Sequence, residues 1–272
     1  LFDNWPSAEN CTVDVPEPPD LSVDPRVTEP WATAYNAARI AMNAYTRHNP
    51  PPIAAGRLDW ISDFGTTKNG CPMLRVFTPD LISDRSFVDY VGAGKHMLSD
   101  ARMNELLDNL SAAQALGIPF KLLNSTKKFW NCTSDNTDTF GQFTVQRDAF
   151  LDGVRSRGIT GLAIVAGDRH VYDSAWDDAY GVPCMTACPI GVDNNPTQGA
   201  DYPAGIRSKM NGPVGTTPAG VRENVWGMIR IPADGDYMEL STRLVSRGGK
   251  AAPNPIRILR NTQSVNLYRA HA

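Results

Sequence analysis

The amino-acid sequence predicts an α/β fold with a largely parallel sheet. Three apolar segments have the length and composition of buried strands, and they lie within residues 73–86, 118–126 and 162–166. Two amphipathic helices, predicted at residues 99–117 and 144–158, separate these strands. The order strand, helix, strand, helix, strand is typical of an α/β core, because each helix returns the chain to the start of the next parallel strand.

The first helix has clear boundary signals. Ser99 precedes it and is a candidate N-cap, since its hydroxyl oxygen can accept a hydrogen bond from a first-turn N–H group. Gly117 follows it and is a natural stop, because glycine readily adopts the left-handed conformation that ends helices. The second helix leads through the short connection at residues 159–161 into the strand "LAIVA" at residues 162–166.

The two ends of the chain differ in character from this core. Residues 1–30 are rich in proline and acidic side chains and predict an extended arm, whereas residues 31–48 predict a helix. Residues 183–205 are rich in Gly, Pro and Asn and predict a long loop. Segments with partial alternation predict later strands at 224–233, 236–245 and 264–271. We therefore divide the chain into a Pro-rich arm (1–30) and one domain (31–272).

Composition excludes two classes of partner. The chain has 272 residues and a formal net charge of −3, and its densest basic segment, "STKKF" at residues 125–129, is too short for a nucleic-acid-binding surface. No apolar stretch is long enough to span a membrane. The first ten residues lack the basic and apolar regions of a signal peptide. The five cysteines have no zinc spacing, although Cys184 and Cys188 are close enough for a local disulfide.

The strongest functional signal is the segment "GLAIVAGDRHVY" at residues 161–172. A buried strand ends at Gly167, which permits a sharp turn, and Asp168 and His170 follow directly. A carboxylate and an imidazole two residues apart lie on the same side of an extended segment, so they form half of a divalent-metal site or an Asp–His pair for acid–base catalysis. The alternatives are an Asp that caps a turn and a His on the surface or in the core.

Two other predicted strands also end in polar residues. Asn124 ends the second strand and could ligate a metal through its carbonyl oxygen, or it could be a turn residue or the glycan acceptor of the triplet "NST". Asp80 follows the first strand, and Arg85 could bind phosphate in a bidentate manner or form an ordinary surface ion pair. Ligands of α/β sheets bind beyond the carboxyl ends of the strands, so three such ends together favour a site there.

These segments, in this order, resemble the alkaline phosphatase D family of metallophosphoesterases. "GDRH" at residues 167–170 resembles that family's "GD-x-H" signature, and "TPDLISDRS" at 78–86 is similar to its "LDTRxYR" segment. The helix at 96–110, the strand "PFKLLNST" and the later strand "YMELST" at 237–242 also match in order. The resemblance covers most of residues 30–245.

The resemblance implies a metallophosphatase-like β-sandwich flanked by helices, and a phosphate ester as substrate. It implies that Asp168, His170 and, by strand position, Asn124 hold metal, that Asp168 and His170 are catalytic, and that Arg85 and Arg169 bind substrate. It also implies two or more divalent or trivalent metal ions (Ca, Fe, Zn or Mn). An extracellular or periplasmic location is expected as well.

The departures from the family pattern concern mainly the metal-binding elements of the family's N-terminal half. The "GDxxY" and "DDHE" elements, which carry the family's first metal ligands, are not found in the sequence, so the chain resembles the C-terminal part of such a protein. Ile82, Arg102 and Phe140 replace family Arg, Gln and Trp residues. Another chain or segment would then supply the missing ligands. One alternative is a non-catalytic structural or interaction protein that keeps the scaffold. Another is a hydrolase with Ser174 as nucleophile, which has less support because no G-x-S-x-G motif surrounds this serine.

Overall fold

The computed structural model describes residues 59–81, 85, 95–125, 127–130, 139–167, 173–186, 206–208, 225–244, 250–251, 255–263 and 265–267. The predicted arm at 1–30 and the predicted helix at 31–48 lie outside these residues. Most of the predicted α/β core lies inside them, so its order of strands and helices is directly observed.

A seven-stranded mixed sheet forms the centre of the fold, with the strand order β1-β2-β3-β4-β6-β5-β7. Strands β2, β3, β4 and β6 run parallel to one another, whereas β1, β5 and β7 run antiparallel to their neighbours. Its strands are β1 (Trp60–Thr66), β2 (Pro72–Thr78), β3 (Phe120–Ser125), β4 (Leu162–Ala166), β5 (Asp173–Asp177), β6 (Cys184–Thr186) and β7 (Ile206–Ser208).

Two helices connect the parallel strands as the sequence predicted. Helix α1 (Asp100–Ala115) joins β2 to β3, and helix α2 (Thr144–Ser156) joins β3 to β4 after a short 3-10 turn at Phe140–Gln142. Ser99 occupies the N-cap position of α1, but its side chain makes no capping hydrogen bond, so that part of the prediction is wrong. Gly117 ends the helix with a φ of 75°, as expected for a glycine stop.

A second, antiparallel sheet packs against one face of the first and makes the fold a sandwich. Strand β9 is its centre and pairs with β8 on one side and with β10 and β11 on the other. Its strands are β8 (Val225–Arg230), β9 (Tyr237–Leu244), β10 (Lys250–Ala251), β11 (Ile256–Leu259) and β12 (Val265–Leu267). The three predicted late strands correspond to β8, β9 and β12.

Alternation of side chains along the parallel strands divides the interior into two apolar cores. On β3, Leu123 faces the helices in a large core that also contains Phe77, Leu110 and Phe150. Its neighbour Leu122 faces the second sheet and packs in a core with members such as Leu240. Because both faces of β4 are covered, this strand is apolar throughout, which explains why its sequence lacks a period of two.

The prediction of a loop at residues 183–205 is wrong at its beginning. Cys184–Thr186 forms β6, which lies in the interior of the sheet between β4 and β5. A three-residue strand is too short to show periodicity, and its buried neighbours rather than its own sequence place it in the sheet. The rest of that segment, including Cys188, lies outside the described residues, so the disulfide remains a prediction.

Lys121 is a buried cation near the amino ends of the parallel strands. Its side chain is 0% exposed, and its Nζ donates to Gln114 Oε1 at 2.5 Å and to the Thr160 carbonyl oxygen at 3.0 Å. Its charged neighbour across the sheet, Arg75, is engaged with the carboxylate of Asp63. Burial lowers the pKa of Lys121 from 10.5 to about 8.

We expect Lys121 to make the free energy of unfolding rise between about pH 8 and pH 10.5. In this window the unfolded chain still binds the proton and the folded protein has lost it, so raising the pH favours the folded state. The full shift corresponds to about 3 kcal/mol. Urea unfolding of the wild type and Lys121→Met across this range measures the effect. The variant should lack this rise. If the free energy of unfolding depends on pH in the same way in both proteins, the rise does not come from Lys121.

Candidate functional site

The carboxyl ends of β2, β3 and β4 meet at one edge of the sheet, called here the carboxyl edge. The register aligns Phe77 with Leu123, and Asn124 with Val165, so these strands end at nearly the same level. Strand β4 leads into Gly167, and the next three residues, Asp168, Arg169 and His170, lie outside the described part of the chain. Gly167 itself has no positive φ, and a Cβ there would meet nothing within 4 Å, so the expected steric need for glycine is not present.

Asn124 lies at the carboxyl edge on the strand that borders β4. Its Nδ2 donates to Thr78 Oγ1 at 3.3 Å, which orients the amide across the ends of β2 and β3. The side-chain carbonyl oxygen Oδ1 is the atom through which an asparagine can ligate a metal. A half-buried position within a central strand does not suit a glycan acceptor, which requires an accessible loop.

Asp80 and Arg85 are both buried in the connection that follows β2. Asp80 is 8% exposed, and its backbone N–H donates to Asp59 Oδ1 at 2.7 Å. Arg85 is only 4% exposed, so the alternative of a surface ion pair for this residue is wrong. The expected role of Arg85 in substrate binding stays a prediction.

Buried charges are concentrated at this edge. Among the described residues, seven charged side chains are buried, and all but Lys121 and Glu239 belong to segments at the carboxyl edge: Asp59, Asp80, Arg85, Lys127 and Lys128. Removing an ionised group from water costs several kcal/mol, so such groups persist together mainly where they bind one another or a ligand. This concentration makes the carboxyl edge the candidate site among the described residues.

Sequence reasoning missed three of these five residues. Asp59 precedes β1, whose antiparallel pairing with β2 carries it to the carboxyl edge, but β1 itself was not predicted. Lys127 and Lys128 belong to "STKKF", which was considered only as a surface for nucleic acid. The signal that could have found them is their position, since they follow a predicted buried strand by two and three residues.

Asp59 also anchors helix α1 to the edge of the sheet. Arg102 Nη2 donates to Asp59 Oδ1 at 2.5 Å, and Arg102 stands where the resembled family has Gln. A small cleft beside this pair lies between β1 and α1, next to Thr78, Glu105 and Asn109. Its volume of about 20 Å³ has room for a single water molecule.

The connection after β3 is held firmly in the interior. Ser125 Oγ donates to the Lys127 carbonyl oxygen at 2.5 Å and also accepts from the Lys127 N–H at 3.3 Å, which forms a tight turn. Phe129 and Trp130 then enter the helix-side core, where Trp130 Nε1 donates to the Val182 carbonyl oxygen at 3.2 Å. Residues 127–130, the described part of this connection, are therefore anchored to the core.

Two wider properties bear on the nature of the site. Among the described residues, no three His, Cys, Asp or Glu side chains are grouped as metal ligands. Within the same residues, no helix has both the length and the apolar character needed to cross a membrane.

Comparison with solved structures finds the same type of fold in PhoD. The alignment has a TM-score of 0.56 at 13% sequence identity and covers 89% of this chain and 51% of the PhoD chain. This chain thus spans about half the length of that structure. The alignment confirms the metallophosphatase-like fold that the sequence predicted.

Two further structures align at a TM-score of 0.45. They are GAP50, the anchor in the inner membrane complex of Plasmodium (9% identity, 74% of this chain and 54% of that one), and the purple acid phosphatase PPD1 from yellow lupin seeds (10% identity, 76% and 34%). Comparison with protein families finds no match, and comparison with curated proteins finds none either.

Proposed function

We propose that this protein is a metal-dependent phosphoric ester hydrolase, a phosphomonoesterase or phosphodiesterase of the alkaline phosphatase D type. The observation that carries the proposal is the carboxyl edge of the parallel sheet. There Asn124 borders the strand that runs into "GDRH", and five buried charged side chains belong to the segments next to the ends of β2 and β3 or the start of β1, in a fold similar to that of PhoD. A ligand site at this position is also the general expectation for parallel α/β sheets.

In this proposal Asp168, His170 and Asn124 hold metal. Carboxylate, imidazole and amide oxygen suit the ions expected from the resemblance, two or more drawn from Ca, Fe, Zn and Mn. When bound, such ions activate a water molecule and stabilise the charge on the phosphoryl oxygens. Asn124 would ligate through its side-chain Oδ1, while its Nδ2 donates to Thr78 Oγ1.

The remaining roles are those in catalysis and in substrate binding. Asp168 and His170 would have their catalytic role as ligands of the metal that activates the water molecule. Arg169 and the buried Arg85 are suited to bind phosphoryl oxygens, because a guanidinium donates two parallel hydrogen bonds. We further propose that another segment or chain supplies the rest of the metal ligands, as the length of this chain relative to PhoD favours. We place the protein in the extracellular or periplasmic space.

Substitution of Asp168 by asparagine tests the hydrolase proposal. We expect Asp168→Asn and His170→Ala, made in the full encoded protein, to lower both metal content and hydrolysis of an aryl phosphate by on the order of 100-fold or more, because each removes a ligand. Metal analysis and a chromogenic phosphatase assay measure the two effects.

Asp100→Asn is the control, since Asp100 is exposed in the first turn of α1. It should retain metal and activity. If the wild-type protein binds no metal and hydrolyses neither an aryl monoester nor an aryl diester, the hydrolase proposal is wrong. The alternative of a non-catalytic protein that keeps the scaffold is then favoured.

A further inference from the structure

We propose that Thr78 is a positioning residue for the metal site, whose hydroxyl group holds the amide of Asn124 so that the side-chain oxygen Oδ1 is presented to the metal. This inference rests on the proposed function, in which Asn124 is a metal ligand. It gives a role to a residue of the neighbouring strand that acts through Asn124 and is not itself a ligand.

Thr78 and Asn124 occupy equivalent positions at the ends of neighbouring strands. Phe77 is aligned with Leu123 in the parallel pairing of β2 and β3, so the next residue of each strand lies at the same level. Phe77 and Leu123 both belong to the helix-side core, so by alternation Thr78 and Asn124 face the second sheet. The two polar side chains therefore lie side by side on one face of the sheet, at the carboxyl edge.

These two residues interrupt an otherwise apolar face. Val76 and Leu122, which precede them on this face of β2 and β3, pack in or against the core between the two sheets. Val165, which is aligned with Asn124 on β4, packs against the same core. Apolar side chains would fill the last position of β2 and β3 without desolvation of a hydroxyl and an amide group. The contact between the two polar groups is thus a specific feature of this edge.

The hydrogen bond between them decides which end of the amide faces Thr78. Nδ2 of Asn124 donates to Oγ1 of Thr78 at 3.3 Å, so Oδ1, the other branch of the planar amide, is turned away from β2. Only Oδ1 can ligate a cation, because the amide nitrogen carries two hydrogens and is a donor. A cation at Oδ1 also polarises the amide and makes its NH2 group a stronger donor, so the cation and the hydroxyl group favour the same orientation.

Loss of this contact should weaken metal binding. The terminal torsion of an asparagine side chain is broad and roughly two-fold, so an unrestrained amide would place its NH2 group at the metal position for part of the time. Groups that hydrogen-bond to a metal ligand fix its orientation, and their removal typically lowers metal affinity by about 10- to 100-fold. Thr78 therefore contributes to metal affinity through the orientation of its neighbour.

Substitution of Thr78 by valine tests this role, because valine has a similar shape without the hydroxyl group. In the full encoded protein, we expect Thr78→Val to weaken binding of Ca²⁺ or Mn²⁺, the two expected ions that favour oxygen ligands, by about 10-fold in isothermal titration calorimetry. Thr78→Ser keeps the hydroxyl group and should retain most of the affinity. In a protein with Asn124→Ala, Thr78→Val should have no further effect, since the ligand through which it acts is gone.

Thr160→Val is the matched control. Thr160 is also half-buried, and its Oγ1 also makes a 3.3 Å hydrogen bond to a side-chain amide, that of Gln114, but near the amino ends of the parallel strands. This variant loses a comparable hydrogen bond at the opposite end of the sheet, so its metal affinity should equal that of the wild type. An equal loss of affinity in both valine variants would count against a specific role of Thr78.

The possible outcomes separate this inference from the hydrolase proposal. If the wild type binds metal and hydrolyses an aryl phosphate, unchanged affinity in Thr78→Val would overturn the role of Thr78 alone. Tighter binding in this variant would overturn it too, because the hydroxyl group would then donate to Oδ1 and compete with the metal. If the wild type binds metal without hydrolysing a phosphate ester, weaker binding in the variant supports the role of Thr78 and the hydrolase proposal is wrong. A wild type that binds neither ion would overturn this inference. If Thr78→Val does not fold, Thr78→Ala takes its place with the same expected loss.

Discussion

Replacement of Gly161 by alanine should destabilise the protein by about 4 kcal/mol. Gly161 has a φ of 63°, and a Cβ at this position would lie 2.1 Å from the Pro119 carbonyl oxygen. Alanine therefore has two costs. The left-handed backbone costs about 1–2 kcal/mol, and the Cβ clashes with the Pro119 carbonyl group, which cannot move without shifting the start of β3. The affected glycine also donates to the Thr262 carbonyl oxygen and accepts from the Lys121 N–H, both at 2.9 Å.

Gly158→Ala is the matched control for this substitution. Gly158 has a φ of 62°, but a Cβ there would meet nothing within 4 Å, so only the backbone cost of about 1–2 kcal/mol is expected. Urea unfolding of the wild type and both variants separates the two contributions. Equal destabilisation by the two alanines would show that the contact with Pro119 is not part of the cost.

Replacement of Gln146 by leucine should lower the free energy of unfolding by a comparable amount, about 3–5 kcal/mol. Gln146, on α2, is 7% exposed, and its Oε1 accepts the backbone N–H groups of Met97 at 2.7 Å and Leu98 at 3.0 Å. Its Nε2 donates to the Leu98 carbonyl oxygen at 2.5 Å. Leucine fills similar space but leaves three buried backbone groups without these partners, at about 1–3 kcal/mol each before any relaxation.

Asn104→Leu provides the control for Gln146→Leu, because Asn104 is exposed on α1 and the change in polarity is similar. Its effect should stay within about 0.5 kcal/mol. Thermal unfolding followed by circular dichroism measures both variants. If the Gln146→Leu protein is as stable as the Asn104→Leu protein, the hydrogen bonds from Gln146 to the connection that precedes α1 do not stabilise the fold.

Both substitutions also concern the site. Gly161 and Pro119 lie at the starts of β4 and β3, so a shift between them moves the two strands relative to each other, and with them Asn124 and Val165. Gln146 holds the connection from β2 to α1, which contains buried Arg85. We therefore expect reduced phosphate affinity in both variants under conditions where they remain folded, since site geometry depends on these anchors.

The core of the fold could be predicted from the sequence because its elements have local signatures. Helix α1 has an apolar stripe and a glycine stop, and β4 was predicted with the observed bounds, Leu162–Ala166. Six strands were not predicted, namely β1, β5, β6, β7, β10 and β11. Strand β1 is an edge strand that is largely exposed, and β6 has three residues, so neither has enough residues under one constraint to show a period.

The site could be predicted only in part, for a related reason. The position of Asn124 follows from the end of a strand, and the resemblance of "GDRH" to a metallophosphoesterase signature follows from four consecutive residues. The roles of Asp168, Arg169 and His170 stay predictions, since these residues lie outside the described part of the chain. The burial of Arg85, Lys127 and Lys128 could not be predicted, because lysine and arginine have the same sequence pattern on a surface as in a buried site.

The sequence by itself determined the alternation of strands and helices, and with it the edge of the sheet at which polar residues collect. Periodicity, glycine stops and strand ends are local properties, so they are determined by residues that are close together in the sequence. The tertiary structure alone decided which charges are buried at that edge. Asp59 reaches it through the antiparallel pairing of β1 with β2, and Lys127 and Lys128 lie buried there beside the helix-side core that takes in Phe129 and Trp130. Burial depends on what packs over a residue, and those partners come from distant parts of the chain.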